Sequence, residues 1–322
     1  MESELRTAIK ENNINLVKDL IKQGIDVNYG YVWNNTALHF ASETGNFEIV
    51  KLLVDNGADV NVKRDVHRDK SDKYYPLTIA ITKGHLDVAE FLVNQGANVN
   101  SYDELCYTPL HFLALLSHWN YKGHKKDEVG LALAHKKEED FFKLLVSKEA
   151  RVCTKTDTDN TPLRYAVGMG NLHIAKLLIE HGIDINVRGW HGETPIFHQT
   201  GFDNVKFCIE HGAKVDIHDT HTKQTPLHST ASSGGPRDLE IIKLLIEHGA
   251  DVNAINERGM TALHASISYG CKLEVVKLLV ENGADVNATN DSNETALDMV
   301  GYVYECYDVN IANFLKEHTN LK

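Results

Sequence analysis

Apolar residues recur at helical spacing along most of the chain. Phe47, Val50 and Leu53 share one helix face, as do Leu172, Ala175 and Leu178, and the same spacing runs through residues 14–21. These runs stop at glycines suited to a left-handed helix end: Gly24, Gly57, Gly96, Gly182, Gly212, Gly249 and Gly283. Ahead of each later run stands a tetrapeptide that reads as the start of a shorter helix. It begins at Thr36, Tyr75, Thr108, Thr161, Thr194, Thr225, Thr261 and Thr295, with spacings of 39, 33, 53, 33, 31, 36 and 34 residues. A period near 33 predicts a solenoid of helix pairs.

Five of the six prolines (Pro76, Pro109, Pro162, Pro195 and Pro226) stand second in that tetrapeptide. The placement has a physical cause. A threonine at the helix start accepts an orphan backbone N–H, and proline at the first helical position loses no hydrogen bond. Each repeat therefore reads as helix, short turn, longer helix, glycine stop, then an extended connector such as Ala58-Asp59-Val60-Asn61.

Thr108-Pro109-Leu110-His111, Thr225-Pro226-Leu227-His228 and Gly57-Ala58-Asp59-Val60-Asn61 resemble the ankyrin repeat, whose signature includes T-P-L-H-x-A and a closing G-A-D-V-N. The resemblance covers essentially the whole chain. It implies an all-α ankyrin-repeat solenoid of stacked antiparallel helix pairs with short β-hairpin finger loops. The expected organisation is one domain, 1–322, in nine units: a cap at 1–33, then 34–73, 74–106, 107–159, 160–192, 193–223, 224–259, 260–293 and a cap at 294–322. The first unit is expected to be truncated, keeping its second helix at 14–21. Nine layers at roughly 8–10 Å each would span on the order of 80 Å.

Departures from the period mark where the chain does something else. From Gly57 to Tyr75 the connector is six residues longer than in most units, and Val62–Lys73 is rich in Lys, Arg and Asp. It reads either as a solvated long finger or as a basic tip that touches an acidic partner. Between Thr108 and Thr161 an insertion at about 118–139 lengthens the second helix at its start, with Asp127 as its cap. That insertion is either a structural bulge or a second binding surface. In the same unit Glu149 replaces the closing glycine, so the helix is expected to end differently there. Thr194 to Gly212 is three residues short, which implies a clipped first helix, and Ser232–Pro236 forms an added turn in the next unit.

Composition narrows the function classes. The 322 residues carry 33 Lys and Arg against 45 Asp and Glu, a net charge of −12, which argues against phosphate neutralisation of a nucleic acid. Five scattered cysteines without a CxxC pair point to a reduced intracellular compartment. The start MESELRTAIKENN has no apolar leader core, and no stretch approaches the length of a membrane span. The expectation is a monomer in the cytosol or delivered into a host cytosol, with the nucleus also open to it, and with no nucleic-acid or membrane partner.

No phosphate-binding, dinucleotide-binding, nucleophile-elbow or HExxH motif is present, so the expectation is no enzyme, no cofactor and no catalytic residue. His39, His111, His228 and His264 fall in the tetrapeptide, where the resemblance implies a structural hydrogen bond. His181, His211 and His248 precede a closing glycine, where imidazole suits a helix C-terminus. The remaining histidines lack zinc-site spacing, leaving only His118, His124 and His135, or His218 and His221, as sets able to converge.

In the ankyrin family the finger tips and first helices line a concave, partner-binding surface. Carried onto this chain, the tip residues expected to touch a protein partner are Tyr31, Trp33, Tyr74, Leu105, Tyr107, Trp190, His191, Arg258 and Met260, beside neighbours such as Tyr29, Val32 and His221. Tryptophan and tyrosine held at a surface dominate binding hot spots. The expected function is a protein-interaction scaffold, adaptor or inhibitor, including effectors that act on host proteins. The alternatives are a substrate of asparaginyl hydroxylation at Asn61, Asn253 or Asn287, each with a leucine eight residues before, or an enzyme whose site matches no recognised motif.

Overall fold

Several short helices start with a reciprocal cap. The N–H of Thr225 donates to Nδ1 of His228 at 3.3 Å, while the Thr225 hydroxyl accepts the His228 N–H at 3.4 Å. Thr36 with His39, Thr261 with His264, and Thr295 with Asp298 form the same capping box. Because Nδ1 accepts, the proton sits on Nε2 and reaches the following finger. His111 donates to Asn160 O at 3.2 Å, His228 to Met260 O at 2.9 Å and His264 to Glu294 O at 3.2 Å. One buried neutral ring thus caps its helix and ties two repeats together.

The structure, a computed structural model, describes residues 2–65, 75–120, 128–197, 201–270, 272–300 and 308–319. The chain forms two compact units, Met1–Ile183 and Asp184–Lys322. In the first, the pairs are α1 (Glu2–Lys10) and α2 (Ile14–Lys22), α3 (Ala37–Thr44) and α4 (Phe47–Asp55), and α5 (Pro76–Thr82) and α6 (Leu86–Asn94). They continue with α7 (Pro109–Asn120) and α8 (Glu128–Ser147), then α9 (Pro162–Gly168) and α10 (Leu172–Glu180). The short helices α1, α3, α5, α7 and α9 pack in series, and α2, α4, α6, α8 and α10 form a second row behind them. Leu38, Leu110 and Leu163 are buried at equivalent sites between the rows.

The second unit opens with a single 3-10 turn, Pro195–Phe197, before α11 (Phe202–Glu210). Then come α12 (Pro226–Ser233) and α13 (Asp238–Glu247), α14 (Ala262–Ala265) and α15 (Leu273–Glu281), and α16 (Ala296–Met299) and α17 (Val309–Thr319). The two rows repeat here, with Leu227 and Leu263 buried. The clipped first helix after Thr194 is therefore present as one turn. The added Ser232–Pro236 turn contains a left-handed Gly234 at φ 68°, which ends α12.

Three expectations need correction. The first unit is not truncated: α1 is a full nine-residue helix with Leu5, Ala8 and Ile9 buried against its neighbours. A proline or threonine start is dispensable where an apolar stripe supplies the packing. Glu149 does not change the helix end. It adopts φ 66° and makes the same closing bonds as the glycines, Glu149 N to Val146 O and Ala150 N to Leu145 O. Lastly, the fingers contain no strand among the described residues, and the single antiparallel bridge pairs Thr289 with Thr295. They are hairpin turns too short to pair as a sheet.

The insertion lengthens both helices of its unit, α7 to 12 residues and α8 to 20. Phe141, Phe142 and Leu145 are buried, whereas Leu131 and Leu133 near the start of α8 are exposed. Farther along α8, Glu138 is buried and its carboxylate lies 2.8 Å from His173 Nε2 and 3.4 Å from the Asn171 amide. The expected Asp127 cap lies outside the described residues.

Candidate functional site

Every described finger is closed by a backbone bond across its base. The N–H of Tyr31 donates to Asn35 O at 2.8 Å, Asp103 to Tyr107 at 3.2 Å, Gly189 to Glu193 at 2.9 Å and Asn256 to Met260 at 3.0 Å. Side-chain oxygens at the base hold the loop from within. Asp103 accepts the N–H groups of Leu105 and Tyr107, Asn256 those of Arg258 and Met260, and Asn290 those of Ser292 and Glu294. Neighbouring tips are then laced together. Asp65 N donates to Trp33 O at 2.8 Å, Asp157 N to Leu105 O at 3.0 Å, Thr220 N to His191 O at 2.7 Å and Asp291 N to Arg258 O at 3.0 Å.

Two fingers differ from the rest. Most tips hold one left-handed residue, for example Cys106 at φ 62°, Lys223 at 57° or Gly259 at 67°. The fingers that carry tryptophan hold two in succession: Trp33 and Asn34 at 64° and 54°, His191 and Gly192 at 52° and 72°. A left-handed non-glycine residue costs roughly 1–2 kcal/mol, and such strain collects at functional sites. Gly192 has no alternative, since a Cβ there would stand 2.4 Å from Thr220 Cγ2.

The structure sorts the expected partner-contact residues. Trp33 and Trp190 are each 46% exposed, and His191 and Arg258 are exposed with them. Tyr31 is half-buried, its ring edge-on to Tyr29 and Phe40 at 5.2 and 5.7 Å, and its hydroxyl donates to Glu2 O. Burial, with the Glu2 charge second, pushes its phenol up to about 12. Tyr107 is half-buried as well, its hydroxyl bonded to that of Tyr165, and burial followed by that bond raises its pKa. Leu105 is half-buried beneath its tip. Met260 and Arg258 meet over an open cleft of about 150 Å³, with Thr222, Gln224, Ser232 and Asn256 among its other walls. Tyr74 lies outside the described residues, as does most of the charged Val62–Lys73 finger.

The structure joins His221, one of the neighbouring tip residues, to this set. The His221 ring lies tilted against that of His191 with centroids 4.6 Å apart, and His191 meets Trp190 edge-on at 4.6 Å. Sequence position placed His221 on a tip but gave no sign that it faced the neighbouring finger. Beneath it, burial raises the Asp219 carboxyl, yet hydrogen bonds from Thr222, His221 and Gln224 outweigh burial and hold it below its ordinary value. Of the histidine sets considered for a metal, His135 stacks on His173 at 4.0 Å, while His124 and the His118 side chain lie outside the described residues. Among the described residues no group of three or more His, Cys, Asp or Glu side chains is arranged to hold a metal ion, and no helix is long and apolar enough to cross a membrane.

Comparison with known proteins agrees with this geometry. A three-copy ankyrin repeat profile matches residues 3–64, 115–189 and 197–290, and a many-copy profile matches 38–93 and 77–124. An ankyrin repeat protein of Acanthamoeba polyphaga mimivirus is 32% identical over 114 residues, 35% of this chain and 14% of that protein. An ankyrin repeat protein of fowlpox virus is 27% identical over 190 residues, 57% of this chain and 49% of that one. The ankyrin repeat protein nuc-2 of Neurospora crassa is 25% identical over 276 residues, 80% of this chain and 22% of its own length. The chain thus spans under half the length of each of these relatives. Among solved structures, the ankyrin repeat domain of Bcl-3 superposes with a TM-score of 0.56 at 24% identity, over 77% of this chain and all of that one. Ankyrin repeat proteins typically act as non-enzymatic scaffolds for protein–protein interaction. With the profiles covering well over half of its length, the chain belongs to the ankyrin repeat family.

Proposed function

We propose that this chain is a scaffold, adaptor or inhibitor that holds a protein partner against its finger tips and the concave row of short helices, without catalysing a reaction. The single observation that carries the reading is the pair of strained fingers, each presenting a half-exposed tryptophan from a tip with two consecutive left-handed residues. Exposed Trp is costly to keep and dominates hot spots where it is kept. In this reading Tyr31, Trp33, Tyr74, Leu105, Tyr107, Trp190, His191, Arg258 and Met260 contribute to the contact, and the nine units act as one binding domain, 1–322. A standard interface takes about 20–30 residues a side, which the tips and short helices provide without core residues. The place of action is the cytosol, its own or a host's. Likeness to ankyrin repeat proteins of two viruses supports the host-effector form of the proposal.

The test is affinity capture from the native cell with the full chain, followed by measurement of the captured partner's Kd. Trp33→Ala or Trp190→Ala is expected to weaken binding by about 2 kcal/mol or more while wild-type circular dichroism and Tm are kept. Unchanged binding by both variants would reject the finger tips and shift attention to the insertion around α8.

A further inference from the structure

Hydrogen bonds or an ion pair commit most of the histidines whose side chains the structure describes. His39, His111, His228 and His264 close capping boxes or helix starts. His181, His211, His248 and His318 each bond the carbonyl four residues back at 2.8 Å. His85 and His218 bond Glu43 O and Lys223 O, and His173 pairs with Glu138. Among the described residues, His135, His191 and His221 remain with neither ring nitrogen in a hydrogen bond or ion pair. His135 lies stacked on His173. The other two are exposed and complete the Trp190–His191–His221 row across two finger tips of the second unit.

The backbone beneath that row is fixed. Both the N–H and the hydroxyl of Thr220 donate to His191 O at 2.7 Å. The Arg188 guanidinium donates to Gly192 O at 2.8 Å and His218 O at 3.0 Å, joining the same two fingers. The same two fingers carry Arg188, His218 and Lys223, all exposed, with Glu193 half-buried at the finger's exit. The Asp219 carboxylate is buried and spent on hydrogen bonds to its own loop. On the next tip Glu257 and Arg258 offset each other. In a chain of net charge −12, this pair of tips offers an arriving anion two fixed cations and two uncommitted imidazoles.

We infer that Trp190, His191 and His221 form a docking platform for an acidic, extended segment of a partner protein, seating an apolar side chain on the indole and a carboxylate on the imidazoles. The inference rests on the finger-tip reading above and adds the chemistry of what is bound. A polynucleotide fits less well, because Glu193, Glu257, Asp291 and Glu294 recur along the same tips, where a phosphate backbone seeks unbroken positive charge. A carboxylate binds a protonated imidazole better than a neutral one, so affinity rises as pH falls.

The test selects short random peptides displayed on phage against the immobilised full-length chain near pH 6, then measures the Kd of an enriched peptide by calorimetry at about pH 6 and about pH 7.5. Enriched sequences are expected to set Asp or Glu beside an aromatic or aliphatic residue, with binding about tenfold tighter at the lower pH. Trp190→Ala should weaken binding at both pH values. The double variant His191→Gln, His221→Gln should remove the pH dependence while Tm stays at the wild-type value. Enrichment of neutral or basic peptides, pH-independent binding, or tighter capture of a single-stranded RNA oligonucleotide at the same residues would overturn the inference. If the peptides instead lose affinity only with Trp33→Ala, the platform fails and the finger-tip reading survives; if neither tryptophan matters, both fail.

Discussion

Asn253 and Gly283 are joined across consecutive connectors: the Asn253 carboxamide donates to Gly283 O at 2.9 Å, and its oxygen accepts the Asp285 N–H at 2.8 Å. Asn28, Asn61, Asn100 and Asn186 make the same two-pronged bridge to the helix end that follows, on Gly57, Gly96, Glu149 and Gly212. Removing the bridge by Asn253→Ala is expected to cost about 1–2 kcal/mol, two modest hydrogen bonds at a partly exposed site. A drop in urea midpoint with unchanged slope would register it, and an unchanged midpoint would mean that water replaces the bridge at no cost. An enzyme hydroxylating Asn61 or Asn253 must first reach a side chain held in this way.

Glu149 sits at φ 66° where the other closing positions carry glycine. The side chain is exposed, and what it gives up is backbone ease. Glu149→Gly is therefore expected to raise stability by about 0.5–1 kcal/mol, the left-handed penalty less glycine's added freedom in the unfolded chain. A lower melting temperature in the variant would contradict that balance.

Leu227 is buried beside the α12 cap, as Leu38, Leu110, Leu163 and Leu263 are beside theirs. Leu→Ala at any of the five should cost about 2–5 kcal/mol. Thermal melts of the five variants give the comparison, and a variant that melts with the wild type would show that its layer contributes nothing to the cooperative core.

His111 is buried, and that burial pushes its imidazole down to about 4; burial lowers His228 and His264 too. A histidine depressed in the folded state binds its proton more readily in the unfolded chain, so acid favours unfolding. The stability these rings supply is complete above the unfolded histidine pKa of about 6.5 and declines as pH falls toward 4. Denaturant midpoints should drop over that interval, and His111→Gln should flatten part of the slope. A midpoint that rose on acidification would contradict the neutral-ring assignment.

Treatment with EDTA is expected to leave Tm and partner affinity unchanged, because among the described residues no group of three or more His, Cys, Asp or Glu side chains is arranged to hold a metal ion. Stoichiometric zinc in the purified protein would refute this.

The repeat period, the proline positions and the glycine stops gave the helix pairs, their order and the buried leucines from sequence alone, because capping and helical periodicity are local properties of a few adjacent residues. The same local logic placed Trp33 and Trp190 on finger tips. It misjudged α1, whose start carries no capping motif, and Glu149, whose left-handed turn is held by the Asn100 bridge and the closing backbone bonds rather than by its own preference. What only the tertiary structure decided are relations between residues far apart in the chain. Glu138 lies against His173, the connector asparagines reach the next helix end, and His221 faces His191 across two fingers. Such contacts depend on how one repeat docks on its neighbour, and that docking is set by the sum of buried side chains along the interface rather than by any short motif.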